Sequence, residues 1–586
     1  MGENIDPTWV AFASRAPLEP ARVAAAMARV ERHYSQLVDY RLATSSAVAG
    51  HCGLAVAGDA SPRCRWPHFA SGPGLAVATA HVPGGWSRLV NAELDDAPLA
   101  LGSAVRDDPK AALLALSAPV AIAVLDRRSG ELVVVNDAIG AARAFTFEAG
   151  ELTVWSNRPG ALAIFAGIEP QADERGWRLL AGAGWLLGDA SPIAGVRRVA
   201  PCTLSRAGAD GVVTVNATGA VGALVRPDRP WRNLAAAAAE QMLEQAREVD
   251  SLWPERADVD LSGGRDSRVV AAATIAAGIE ARYVTSNATP GEARVARELM
   301  DRIGGGPEHQ VRRRKEGSAS PGTPLLERAG NLHLLHDGVR HPQKLRGKMT
   351  LPRPRPQGAK FSGHGGEIAH GFFYKSPAEI RRLRGRRRRL IDRVMRFFSQ
   401  GHSAASPEAT EAAHEAVKRT LGEGREHGLR GPALLDWFYL VDRFAHRSGL
   451  ATDSERTVLF ATPAAIAGAF SLSPRQRVAG VLHRELTARF VPEWAGVDYF
   501  KPTAERVARS KRERIWQVEA DAAAVEEVLA AGGSWTELYN REEALREWRE
   551  LRAGRGNRKA EGLFEGIVYR ASFDQHLERL ARAARD

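Results

Sequence analysis

The chain has 586 residues, 44% hydrophobic and 25% charged, so it is longer than one hydrophobic core usually organises and two or more domains are expected. Its longest apolar run, roughly Ala112 to Leu125, is interrupted by Ser117 and Pro119 and falls short of the ~20 residues a membrane span needs. The start, MGENIDPTWVAF, lacks a basic stretch followed by an apolar one, so the expectation is a cytoplasmic protein without signal peptide or membrane span.

The stretch Pro17 to Leu37 reads as a helix. Cys52, Cys64 and Cys202 follow, odd in number and without a CxxC pair, which argues against a disulfide framework or zinc ribbon. A metal set of Cys52, Cys64 and His51 competes with the plainer and favoured reading of small buried residues. From about Ala118 to Thr218 short alternating runs are broken by turns: APVAIAVLD, ELVVVND, ARAFTFE, LTVWSN, and a hairpin in VRRVAPCTLSRAGADGVVTV. This spacing predicts antiparallel sheet. RPDRPW, with Pro227 and Pro230, reads as a linker.

Beyond it the pattern turns helical. Asn233 to Val249 is an alanine-rich helix, ADVDL a short strand, Ser267 to Ala277 a helix, ARYVTS a second strand, and Gly291 to Ile303 a second helix. Strand, helix, strand and helix at this spacing predict a parallel sheet covered by helices. From Ala378 onward the chain reads as almost all helix. Net charge is +11, with arginine clusters at Arg312–Lys315, from Arg340 to Arg355, and from Arg381 to Phe397. Such clusters suit a polyanion or a solvated helix face. No RNA- or DNA-reading motif accompanies them, so nucleic acid is not expected.

The run Asp260-Leu261-Ser262-Gly263-Gly264-Arg265-Asp266-Ser267-Arg268 sits where the first of these strands meets its helix. Adjacent glycines let the backbone approach a ligand with no Cβ in the way. Ser262 and Ser267 offer hydroxyls, and the free N–H groups of the helix start favour an anion. Asp266 would repel a bare phosphate, but suits one with a Mg²⁺ ion between them. No GK[ST] follows, so this is not a Walker loop.

This loop resembles the SGGxDS signature of the pyrophosphatase-loop ATP enzymes. Over most of residues 258–515 the chain resembles, in order, the asparagine synthetase family. The stretch from Phe361 to Tyr374, FSGHGGEIAHGFFY, resembles the family's SGEGADELFGGY segment. Glu292-Ala293 and Ala296 resemble its second helix, and VDRFAHRSGLATDSERTVLFATP a later segment. APVAIAVLD and Asn136 to Arg143 resemble, more loosely, strands of the family's N-terminal nucleophile glutaminase domain. The SGGRDSR loop with a GHGGE motif looks closest to the lasso-peptide cyclases, which are macrolactam synthetases.

The resemblance implies an α+β antiparallel-sheet domain over 1–228 and an α/β synthetase domain with a parallel sheet and a mostly helical C-terminal half over 234–586. The glutaminase cysteine of the family follows the initiator Met, whereas position 2 here is Gly. The first domain is therefore expected to be a retained scaffold without glutaminase activity. The resemblance also implies ATP and Mg²⁺. It puts Leu261, Ser262, Gly263, Gly264, Asp266, Ser267, Val284, Ser286 and Gly363 around ATP, with Asp266 and Glu367 as metal ligands. Glu367 stands where the family has Asp. Lys511, in Arg509-Ser510-Lys511, matches the family's phosphate-neutralising lysine, with Lys501 as the rival. His364 replaces a family Glu and is expected to be the base that frees an attacking amine, with Tyr374 and Glu455 next in line.

The expected reaction is AMP-forming closure of a macrolactam. An Asp or Glu side chain of a precursor peptide is adenylated, and the peptide's N-terminal amine attacks it. A leader-binding protein and a leader peptidase are the implied partners beside the core peptide. The alternatives are asparagine synthetase or β-lactam-synthetase-like chemistry on a small molecule, and a non-catalytic scaffold.

Overall fold

The computed structural model describes residues 6–216, 218–226, 229–287, 289–304, 306–312, 322–347, 349–385, 387–398, 404–447, 456–501, 513–556 and 560–586. Twelve strands make up the N-terminal part: β1 (Thr8–Ser14), β2 (Leu42–Ala49), β3 (Cys52–Asp59), β4 (Phe69–Ser71), β5 (Leu75–Thr79), β6 (Ala121–Asp126), β7 (Leu132–Asn136), β8 (Phe145–Ala149), β9 (Leu152–Ser156), β10 (Arg197–Arg198), β11 (Thr203–Gly208) and β12 (Gly211–Asn216). They pair into two six-stranded sheets, ordered β10-β8-β9-β1-β3-β2 and β12-β11-β7-β6-β5-β4. Every pairing in both is antiparallel, as the alternating runs predict.

Side chains alternate across a strand, so a strand covered on both faces feeds two cores. Trp9, Ala11 and Ala13 of β1 join Leu54, Ala76, Ala123 and Leu125 between the sheets. Val10 and Phe12 face the helices instead, with the Phe12 and Phe165 rings 5.3 Å apart. The helices Pro20–Ser35 and Pro159–Ala166 cover one sheet, and Ala97–Asp107 covers the other. Asp137 closes the turn after β7: its carboxylate accepts the backbone amides of Ile139, Ala141, Ala142 and Val120.

The first five strands lie upstream of the run in which strands were expected. The alanine and glycine content of β2, β3 and β5 gives weak β-propensity, and burial on both faces of β1 and β3 removes the polar alternation that marks a strand. The expected hairpin is confined to β11 and β12. Arg197 and Arg198 belong to the other sheet, paired with Thr146 and Phe145 of β8.

The helix Trp231–Ser251 leads into a parallel five-stranded sheet. It comprises β13 (Ala257–Asp260), β14 (Ala281–Ser286), β15 (Glu308–Arg312), β16 (Lys360–Phe361) and β17 (Arg456–Thr457), ordered β15-β14-β13-β16-β17. All its described pairings are parallel. The expected helices appear as Asp266–Ala276 and Pro290–Arg302. Beyond Ala378 the described chain is helical apart from β17.

The last helix, Glu561–Arg585, returns to pack on Pro159–Ala166 and Leu325–His336. Phe573, Tyr569 and Trp177 meet there with ring centroids 4.7 and 5.8 Å apart, each burial contributing about 1.5–3 kcal/mol. Asp337 is fully buried in this seam, between the Tyr34 hydroxyl at 3.1 Å and His576 at 3.3 Å. Among the described residues no helix is long and apolar enough to cross a membrane.

Candidate active site

From β13 the chain runs outward through β14 to β15, then returns to place β16 on the other side of β13. The connections therefore leave β13 and β16 in opposite directions. In open α/β sheets the crevice at the C-terminal ends of two such strands is where ligands bind. Two glycine-containing loops meet there, Leu261–Arg265 after β13 and Ser362–Gly365 after β16.

The first loop is braced from within. Ser267 Oγ accepts the Ser262 amide at 3.0 Å and lies 2.8 Å from Ser262 Oγ, which accepts the Gly264 amide at 3.1 Å. Leu261 is anchored to β14: its amide donates to Val284 O at 3.0 Å and its carbonyl accepts the Thr285 hydroxyl at 2.8 Å. Ser286 ends β14 on the same edge and is exposed. Gly263 is required by close packing, since a Cβ there would lie 2.8 Å from Phe500 Cβ and 3.0 Å from Glu292 Cα. The Phe500 amide donates to Gly263 O at 2.9 Å. Arg268 is buried, with its guanidinium 4.4 Å from the Tyr499 ring centroid and donating to the carbonyls of Val497 and Asp498.

The second loop lies directly on the helix that begins at Asp266. A Cβ on Gly363 would stand 2.5 Å from Ser267 N, and one on Gly366 would stand 2.3 Å from Asp266 Cγ. Gly365 has φ of 82°, a conformation that side chains other than glycine's rarely adopt. These glycines thus let two loops, about a hundred residues apart in sequence, share one cleft.

Asp266 stands at the helix N-terminus and is held by two imidazoles. His483 Nε2 lies 2.8 Å from Oδ1, and His370 Nε2 makes a long 3.4 Å contact with Oδ2. Burial alone would raise the Asp266 pKa, but the hydrogen bonds from His370 and His483 hold it well below the usual carboxylate range. Burial pushes His483 the other way, below the usual imidazole range, with Asp266 only partly offsetting it. At neutral pH the site therefore holds an ionised Asp266 beside a neutral His483.

Glu367 is half-buried and lies within electrostatic reach of the Tyr439 hydroxyl and the Arg443 guanidinium. Arg443 itself lies 4.1 Å from the Phe372 ring centroid. The Lys375 ammonium is within electrostatic reach of Arg265, Glu367 and Asp266, and donates to Gly371 O at 2.9 Å. His364 is exposed at the tip of the second loop. Tyr374 is buried, and its hydroxyl donates to Asp436 Oδ2 at 2.7 Å. Burial and Asp436 push that phenol well above its usual range, which suits a structural donor rather than a base.

Lys511, with Arg509 and Ser510, lies outside the described residues, as does Glu455. Lys501 is exposed directly after Phe500, the residue bonded to Gly263. Position 2 is likewise outside the described residues, and all three cysteines are buried with thiols pushed up by burial to about 11.

The expected Mg²⁺ can be tested against this donor set. Mg²⁺ takes hard oxygen ligands and is usually bound by one or two carboxylates together with phosphate oxygens and water. Asp266 and Glu367 supply two carboxylates on segments in contact, and Oδ2 is the more weakly held oxygen of Asp266. The set fits. Two residues at the site carried no signal in the loop pattern, His370 and His483. His370 could have been found as the histidine closing GGEIAH; nothing in the sequence near His483 points to Asp266.

No protein-family model matches the chain, and no curated protein matches it. Among solved structures the chain is similar to the allosteric regulatory enzyme of purine biosynthesis, at 13% identity over 52% of this chain and 80% of that one, with a TM-score of 0.26. It is also similar to the glutamine phosphoribosylpyrophosphate amidotransferase from B. subtilis complexed with ADP and GMP, at 11% identity over 63% of this chain and 83% of that one, with a TM-score of 0.25. Scores this low do not assign a fold, which rests here on strand order, register and side-chain geometry.

Proposed function

We propose that this chain is an AMP-forming amide ligase that closes a macrolactam in a peptide. In this reading an Asp or Glu side-chain oxygen of the peptide attacks the α-phosphorus of ATP, and the bond to the β-phosphate breaks to release pyrophosphate. The peptide's N-terminal amine then attacks the acyl carbon, the bond to AMP breaks, and the amine loses its proton. The observation that carries the reading is the meeting of the two glycine loops on the Asp266 helix at the crevice between β13 and β16.

Each group has a part. The amides of the braced Ser262–Ser267 loop and the helix N-terminus hold the phosphates. Mg²⁺, when bound by Asp266 and Glu367, neutralises phosphate charge. His483 and His370 fix the Asp266 carboxylate. Lys375, Lys501 or Lys511 supplies positive charge toward the leaving pyrophosphate. His364, exposed between Gly363 and Gly365, takes the proton of the attacking amine. The twelve-stranded N-terminal part serves as scaffold, in keeping with its three buried, unreactive thiols.

Mass spectrometry of a candidate linear peptide incubated with the protein, ATP and Mg²⁺ tests this. Loss of one water with retention of a protease-resistant ring supports it. An intact linear peptide alongside amidation of a free small carboxylate would favour a small-molecule ligase.

A further inference from the structure

Gly371–Ser376 leaves the cleft and runs into two helices, Pro377–Leu383 and Arg387–Phe398. Their apolar positions, Ile380, Leu383, Leu390, Ile391, Val394 and Phe398, are buried. The outer face is different: Arg381, Arg382, Arg384, Arg387, Arg388 and Arg389 are all exposed. Several arginines elsewhere pair with carboxylates, as in Arg328–Asp521, Arg346–Glu565, Arg206–Glu131 and Arg552–Glu519, while isolated ones such as Arg430 and Arg541 donate to carbonyls. Among the described residues none of these six guanidinium groups pairs with a carboxylate. Arg387 and Arg389 donate only to the carbonyls of Lys418 and Arg382. Six like charges within nine residues repel one another, so the surface is left to be neutralised from outside.

The helices that carry this face pack toward the cleft through their inner side. Arg393 donates to Phe373 O at 2.6 Å. The Phe397 ring packs on Phe372 and Phe373 at 5.6 and 5.7 Å, and Phe372 packs on Tyr439 at 5.0 Å. Tyr439 is the residue whose hydroxyl lies within electrostatic reach of Glu367. The first of these helices begins two residues after Lys375, which is within electrostatic reach of Glu367 and Asp266, so the arginine face adjoins the loop carboxylates. Arginine forks match carboxylates bidentately. Binding of single strands also uses aromatic platforms, whereas the exposed large apolar side chains among the described residues are Val212, Val213, Val215 and Leu326. None is aromatic and none lies on these helices.

We propose that this arginine face docks an acidic stretch of the polypeptide whose carboxylate the cleft activates. The proposal rests on the ligase reading for the identity of its ligand, but it is read by binding alone. The probe is a fluorescein-labelled oligoglutamate of about ten residues, titrated without ATP and followed by anisotropy at about 50 mM salt, where charge attraction is weakly screened. The triple variant R381E/R384E/R388E should weaken binding by about tenfold or more, since single exposed pairs contribute little but several reversed charges add. R381Q/R384Q/R388Q should give a smaller loss in the same direction. A control of equal charge change far from the cleft, R549E/R582E/R585E, should shift binding by less than about twofold, as screened distant charges do. Equal weakening by both reversal variants would overturn the proposal. So would the absence of saturable binding, or tighter binding of a single-stranded oligonucleotide of equal charge. Because no nucleotide is present, failure of the AMP-forming reaction leaves this result intact, and failure here leaves the nucleotide products untouched.

Discussion

His483, on the helix Val481–Phe490, bonds Asp266 Oδ1 through Nε2 at 2.8 Å, while its own Nδ1 has no hydrogen-bond partner among the described residues. A fully buried imidazole thus spends its one donor on a carboxylate more than two hundred residues away. Removing it takes the shorter of two hydrogen bonds from a partly buried carboxylate, at a cost of about 1–3 kcal/mol. His483→Ala should lower the adenylation rate by roughly 10–100-fold, by letting Asp266 turn or take up a proton. His483→Gln, which restores a donor of similar reach, should recover part of the loss. Pyrophosphate exchange measures both, and an unchanged rate in His483→Ala would show that Asp266 needs no such partner.

Buried neutral histidines make the fold acid-sensitive. Burial, reinforced by His576, pushes His33 down to about 4. Burial and His576 also push His333 well below the usual range, and burial lowers His483. Each folded-state pKa lies below the unfolded value of about 6.5. The unfolded chain therefore binds protons that the folded one does not. The stabilisation is complete above about pH 6.5 and is lost as pH falls toward the folded values, at roughly 1.4 kcal/mol per pH unit for each histidine. Urea midpoints should drop steeply between about pH 6.5 and 4.5. A flat profile across that window would contradict the neutral, buried assignment.

Gly363→Ala and Gly264→Ala separate close approach from simple loop chemistry. A Cβ on Gly363 would meet backbone, Ser267 N, at 2.5 Å, while one on Gly264 would meet only Ser262 Oγ at 3.2 Å. Gly363→Ala should part the two loops and reduce adenylation by about 10²-fold or more, the scale of misplaced catalytic groups, with circular dichroism unchanged. Gly264→Ala should cost far less. Equal effects would mean that the loops do not act as one site.

How much of this was legible in the sequence differs by feature. The parallel-sheet helices and the Ser262–Ser267 loop were readable because glycine, serine and helix signals are local. The antiparallel character from Ala118 was readable because its strands are rich in β-branched residues and its turns carry glycine. β1 and β3 were not, because both of their faces are buried. The strand order that sets the crevice was not readable either, since β16 is only Lys360–Phe361. His483 was invisible because its meaning comes from a fold that brings residue 483 beside residue 266.

His364 is the exposed imidazole of the second loop, apart from the two that hold Asp266. If it takes the amine proton, His364→Ala should still exchange pyrophosphate into ATP, while ring closure falls by about 10²–10⁴-fold. The residual rate should rise as pH approaches the amine's own pKa of about 8. Equal loss of both activities would make it a loop-shaping residue, and His370 or another group would then serve as the base.

In the proposed reaction the crevice between β13 and β16 makes an acyl-adenylate. Phosphorus NMR of the nucleotide products, with Mg²⁺ and a carboxylate-bearing peptide present, tests it most directly. AMP and pyrophosphate should appear in equal amounts, with Asp266→Ala losing about 10²-fold or more of the rate. ADP and inorganic phosphate as products, or full activity in Asp266→Ala, would contradict it.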